Sequence, residues 1–163
     1  MSEISQHSVN MMSSKSAKPR EFSDELLLRA GEFHGHGGPF LVVGLRMGLR
    51  ALRDLDACGW FDLRCRAHLR RSPPDSCVLD GIQVATGCTM GKMNIEVSEG
   101  EGVSAEFEGG RGATMIELRR EVEEEMRRSL GEGEEADRLL KRLIEARDDD
   151  LFTVSLTLRK EEK

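Results

Sequence analysis

The sequence predicts an α+β domain in which several helices pack on a mixed, mainly antiparallel sheet. Three observations lead there. Residues 61–70 and 152–158 alternate apolar with polar side chains, the two-residue period of a half-buried strand. Residues 39–53 and 134–147 instead repeat their apolar side chains at helical spacing. Residues 93–118 hold three short β-like runs separated by the turns Gly100-Glu101-Gly102 and Gly109-Gly110-Arg111-Gly112, which suggest an antiparallel meander. Strands and helices without a regular βαβ alternation indicate α+β, and 163 residues suffice to bury a core without disulfides or a structural metal.

Residues 1–21 are rich in Ser, Lys and Met with no apolar face and are expected to be a disordered tail; residues 22–163 are expected to form one domain. Ser23 followed by Asp24 and Glu25 reads as a helix N-cap with acids in the first turn, and Leu26, Leu27, Ala30 and Phe33 give that helix its apolar face. Pro39 opens the next helix, which is apolar except for a face carrying Arg46, Arg50 and Arg53. Along it Gly44, Gly48 and Ala51 form a smooth strip that lets another backbone approach. Intramolecular packing is the main reading of that strip and a subunit interface the lesser one.

In the run 61–70, Phe61, Leu63, Cys65, Ala67 and Leu69 should point inward, leaving His68 on the solvated, arginine-rich face. Pro73-Pro74 breaks the chain. Asp75 or Ser76 then caps a short helix over about 77–86, and Gly87 ends it with Cys88 exposed just beyond. Residues 121–129 are charged and suit either a brief helix or a solvated extension. Ala136, Leu139, Leu140, Leu143 and Ile144 mark an amphipathic helix that packs on the sheet, and the final strand follows from Phe152.

A net charge of −6 and a pI near 5.3, with arginines interleaved among acids, argue against a nucleic-acid partner. No apolar run is long enough to cross a bilayer, and the first twenty residues lack a secretory h-region, so a cytoplasmic protein is expected. Four cysteines without a Cys-x-x-Cys pair are expected to be free thiols there.

Two stretches carry chemistry. Phe33-His34-Gly35-His36-Gly37-Gly38-Pro39-Phe40 sets two imidazoles in a glycine-rich turn at a helix entrance, where a non-helical backbone lets both face one point. A shared metal or substrate is one reading of the pair, polar turn residues the other. Asp80-Gly81-Ile82-Gln83-Val84-Ala85-Thr86-Gly87-Cys88-Thr89-Met90-Gly91-Lys92-Met93-Asn94 ends a helix in a glycine-flanked cysteine, a loop suited to display functional groups.

Together the two stretches closely resemble the FmdE family, named for the FmdE component of formylmethanofuran dehydrogenase, in element order over residues 22–158. The resemblance implies an α+β core that commonly dimerises, a site built from histidine and cysteine, and a connection to one-carbon metabolism, methanogenesis included, with a molybdenum- or tungsten-enzyme subunit as partner. The cysteine-rich zinc finger that follows some members is missing, since nothing after Cys88 is a cysteine. The family pattern His-Gly-His-x-Cys-Pro has Gly38 at its cysteine position here. The matching metal ligands are then His34, His36 and Cys88, which suit a divalent transition metal, zinc first, with an open fourth position. Cys88 can instead be a nucleophile, and Lys92 can lower its pKa or hold an anionic substrate. Cys77 is a further nearby thiol. Asp80, Gln83, Thr89 and Asn94 either support the ligands through hydrogen bonds or simply cap the helix and turn. Loss of the thiol at Gly38 also allows a non-catalytic binding or assembly module.

Overall fold

The structure, a computed structural model, describes residues 20–160. Of the tail expected over 1–21, residues 1–19 lie outside the described residues. Helix α1 (Asp24–His34) begins at Ser23, whose Oγ accepts from the Leu26 N–H at 3.1 Å, and ends at Gly35 in the left-handed conformation (φ 97°). Gly35 turns the chain sharply into α2 (Pro39–Leu55), almost every apolar side chain of which is buried. Strand β1 (Leu63–Leu69), α3 (Cys77–Thr86), a 3₁₀ turn (Met90–Lys92) and β2 (Ile95–Glu99) come next. The hairpin β3 (Val103–Gly109) and β4 (Gly112–Leu118), then α4 (Arg120–Arg128), α5 (Glu134–Glu145), α6 (Asp148–Leu151) and β5 (Phe152–Leu158), complete the α+β fold.

The sheet order is β2-β1-β3-β4-β5, parallel only between β1 and β2 and antiparallel elsewhere. The expected meander of three strands is therefore corrected: β1 lies between β2 and β3 because α3 serves as the crossover that brings β2 back parallel to β1. Strand β1 alternates buried and exposed side chains from Leu63 to Leu69 and leaves His68 on the open face, as its sequence alternation requires. Phe61 corrects the same run. It precedes the first ladder pair and is 79% exposed.

Helix α2 packs on α3, α5 and the inner face of β3 and β4. Its contact with α3 is backbone to backbone: a Cβ at Gly44 would lie 2.0 Å from the Val78 carbonyl oxygen, and one at Gly81 2.2 Å from that of Leu41. Val122 and Met126 bury one face of α4, so the charged run is a helix and its acids are solvated. Asp75 does not cap α3. Its carboxylate accepts from Arg127 at 2.7 Å and ties α4 to the start of α3, while Ser76 holds the N-cap position without a side-chain bond.

The arginine face of α2 is a clamp rather than a solvated stripe. Arg46 donates to the carbonyls of Leu143 (3.0 Å), Ile144 (2.7 Å) and Ala146 (2.5 Å), satisfying the open end of α5, and pairs with Asp148 at 2.8 Å. Arg53 also bonds Asp148. Burial works to raise the Asp148 pKa, but the bonds from Arg46 and Arg53 outweigh it and hold the carboxyl below its ordinary range. The folded state thus favours the ionised form. The contribution is fully present above the unfolded carboxyl value near ~3.9 and is lost as pH falls through the lower folded value. Asp148→Asn should accordingly flatten the acid limb of a plot of denaturation midpoint against pH. An acid limb identical to the wild type would rule out this hub.

Candidate functional site

The two histidines sit where α1 hands over to α2, and α3 supplies the group that orients one of them. His34 is the last residue of α1. Its Nδ1–H donates to Asp80 Oδ2 at 2.6 Å, across the α1–α3 contact, and its side chain is 11% exposed. With Nδ1 so occupied, the neutral form of the ring carries its lone pair on Nε2, which is buried and has no hydrogen-bond partner among the described residues. His36 is exposed and donates from Nδ1 to the Gly37 carbonyl at 2.9 Å, so its lone pair is also on Nε2. The ring centroids are 4.7 Å apart and tilted by 57°. Gln83, one turn beyond Asp80, donates to Asp80 Oδ1 at 3.4 Å.

Cys88 lies elsewhere. It is fully buried in the main core, its thiol donating to the Leu63 carbonyl at 3.4 Å and its N–H to Thr86 Oγ1 at 3.0 Å. The expectation of an exposed Cys88 is therefore corrected. After Gly87 (φ 73°) the chain turns inward onto the start of β1, with the Trp60 N–H bonded to the Thr86 carbonyl at 2.8 Å. Burial pushes the Cys88 thiol up, against the lowering influence of Thr86 and of Lys92. Lys92 thus acts in the expected direction without prevailing. Cys77, half-buried one turn before Asp80, is likewise raised by burial and by the Asp80 charge. Thr89 caps the 3₁₀ turn, its hydroxyl accepting from Lys92 N at 3.3 Å and from Lys92 Nζ at 2.8 Å. Asn94 clamps the loop by accepting from the Thr89 N–H at 2.9 Å and donating to the Trp60 carbonyl at 2.5 Å.

Asp80 and Gln83 therefore stand behind His34, whereas Thr89 and Asn94 hold the turn. Among the described residues no group of three or more His, Cys, Asp or Glu side chains is arranged to hold a metal ion. The donors fit a cation in part: both imidazoles engage Nδ1 and leave Nε2 for a ligand, that of His34 buried and unpaired among the described residues, but neither Cys88 nor Gly38 adds a thiolate beside them. Arg20, Arg29, Phe33 and Trp60 form a cleft with Lys92 that the sequence reading missed. Its cations come from the segment before α1, from α1 and from the 3₁₀ turn, so no local periodicity could have revealed it.

The sequence profile described as "FmdE, Molybdenum formylmethanofuran dehydrogenase operon" matches residues 33–153, most of the chain and both motifs. The chain belongs to the FmdE family. Its fold is similar to that of an FmdE-like protein of tungsten formylmethanofuran dehydrogenase from Syntrophus aciditrophicus, with a TM-score of 0.60 at 20% identity over 85% of this chain and 73% of that one. At that identity the likeness concerns the fold alone. A probable S-adenosyl-L-methionine-binding protein of Archaeoglobus fulgidus is 40% identical over 83 residues, which are 48% of this chain and 22% of that protein. This FmdE-family chain therefore matches about a fifth of that relative's length. No described helix is long and apolar enough to cross a membrane.

Proposed function

We propose that this FmdE-family protein is an accessory factor of one-carbon metabolism that takes a divalent transition metal, zinc first, on the Nε2 atoms of His34 and His36. The observation that carries the reading is the His34–Asp80 pair, because a carboxylate on Nδ1 with a buried, unpartnered Nε2 is how histidines are held for a metal. Water or substrate would complete the coordination, and a cation so bound supplies a Lewis acid that polarises a carbonyl or lowers the pKa of water. Asp80 fixes the ring and its tautomer, and Gln83 fixes Asp80. The family's name supports a place beside a molybdenum or tungsten formylmethanofuran dehydrogenase, and a cytoplasmic homodimer is part of the same proposal. Cys77, close enough to Asp80 to feel its charge, is the reserve thiol, whereas Cys88 is assigned to the core.

Equilibrium dialysis against zinc followed by elemental analysis tests this. About one equivalent per chain is expected. His34→Ala should lose it, and Asp80→Asn should weaken it by about 10–100-fold. Cys88→Ser should bind normally while folding less stably. Loss of zinc in a folded Cys88→Ser variant would return that thiol to the ligand set. No uptake by the wild type would sink the reading and favour the second one, a binding or assembly module. Gly38 and the missing third donor are the observations that favour it.

A further inference from the structure

In this protein of net charge −6, most described guanidinium groups meet a carboxylate, as Arg46, Arg50, Arg66 and Arg127 do. Arg20, Arg29 and Lys92 differ. They line one cleft of about 330 Å³ together with Phe33, Trp60 and Gln83, and among the described residues no carboxylate lines it with them. Arg20 spends one nitrogen on the carbonyls of Val84 (3.0 Å) and Ala85 (2.8 Å) and stacks 4.1 Å from the Trp60 ring centroid. Lys92 donates to Thr89 Oγ1 and has further N–H groups to give. Phe33, although apolar and on the face read as inward, is 60% exposed at the mouth. Three like charges gathered beside an exposed aromatic ring are costly unless a counter-charge visits. Burial and the nearby Arg29 lower the Arg20 pKa, the direction expected of an uncompensated cluster.

We propose that this cleft binds a small organic anion, a phosphate or carboxylate carried on a flat apolar ring, with Arg29 and Lys92 holding the charge and Phe33 the ring. The volume is at the lower end of ligand sites, enough for one ring and one charged group and too small for a dinucleotide. Gln83 lines the cleft and also touches Asp80, so an occupant would lie one hydrogen bond from the group that orients His34. The inference goes beyond the metal reading and stands whether or not the histidines take a cation.

Trp60 is the only tryptophan and the chain has no tyrosine, so intrinsic fluorescence reports on this cleft. The full chain is titrated with phenyl phosphate, benzoate, inorganic phosphate and phenol. At least one of the two ring-bearing anions should give a saturable change at concentrations at least about tenfold below those for inorganic phosphate and phenol. Whichever binds tighter identifies the charged group. Arg29→Glu and Lys92→Met should each weaken that binding about tenfold or more, with Arg29→Glu melting no lower than the wild type, and His34→Ala should leave it intact. The proposal is overturned if neither ring-bearing anion gives a saturable change, or if the change persists undiminished in both cleft variants.

Discussion

Gly81→Ala is expected to destabilise the protein by about 3 kcal/mol, at the upper end of overpacking costs, lowering the melting temperature by about 6–12 °C. A methyl group there would meet the Leu41 carbonyl oxygen at 2.2 Å and the Leu45 nitrogen at 2.6 Å, and backbone cannot swing aside as a side chain can. Gly44→Ala on the facing helix should behave alike, since its Cβ would fall 2.0 Å from the Val78 carbonyl oxygen. Helix propensity predicts the opposite sign at both sites. Gly31→Ala isolates that term: it lies within α1, has nothing within 4 Å of an added Cβ, and should stabilise by about 0.5–1 kcal/mol. Chemical denaturation of the three variants decides the matter, and a Gly81→Ala protein as stable as the wild type would refute the close packing. The effect reaches the site as well. Gly81 lies between Asp80 and Gln83, so separating α3 from α2 would also draw Asp80 away from His34.

That glycine contact was half legible in the sequence. The strip Gly44-Gly48-Ala51 announces a smooth helix face, and Pro39, Ser23 and Gly87 mark helix ends that the structure reproduces. The sequence does not say which helix lies on the strip, because only tertiary packing brings 81 to 44. The alternation in β1 was likewise readable, and β5 is a strand where its alternation places one, although Leu156 and Leu158 stay exposed. The parallel β1–β2 pairing depends instead on a crossover that no local pattern encodes. For the site, the histidine turn was readable from residue type and position, while the sequence leaves Asp80 open between supporting a histidine and capping the helix, and the structure bonds it to His34. The place of Cys88 was not readable. Glycine and threonine neighbours make a loop look solvated, but Gly87 at φ 73° aims the next residue into the core, where the Leu63 carbonyl awaits its thiol. Phe61 and Phe33 erred in the other direction, being apolar residues at the ends of elements where the periodicity stops predicting burial.

Gly38→Cys should raise zinc affinity at least about tenfold, a gain of about 1.4 kcal/mol or more. The backbone at Gly38 is extended (φ −167°, ψ 162°), so a side chain enters without strain. Its Cβ would stand 3.4 Å from His36 Cε1 and 3.5 Å from Nδ1, ordinary contact distances that seat a thiol beside the second imidazole. Position 38 is also the N-cap of α2, whose unpaired N–H groups and dipole favour the thiolate over the thiol. The new side chain therefore supplies the third donor that the described residues lack. Cobalt(II) makes the change visible, since a thiolate ligand adds a charge-transfer band that imidazoles alone do not. The band should be absent from the wild type and present in Gly38→Cys. A band in the wild type would mean that Cys77 or Cys88 already reaches the ion, and the two-imidazole site would have to be abandoned. Unchanged affinity in a folded Gly38→Cys protein would place the cation, if any, away from His36 and leave the assembly-module reading in front.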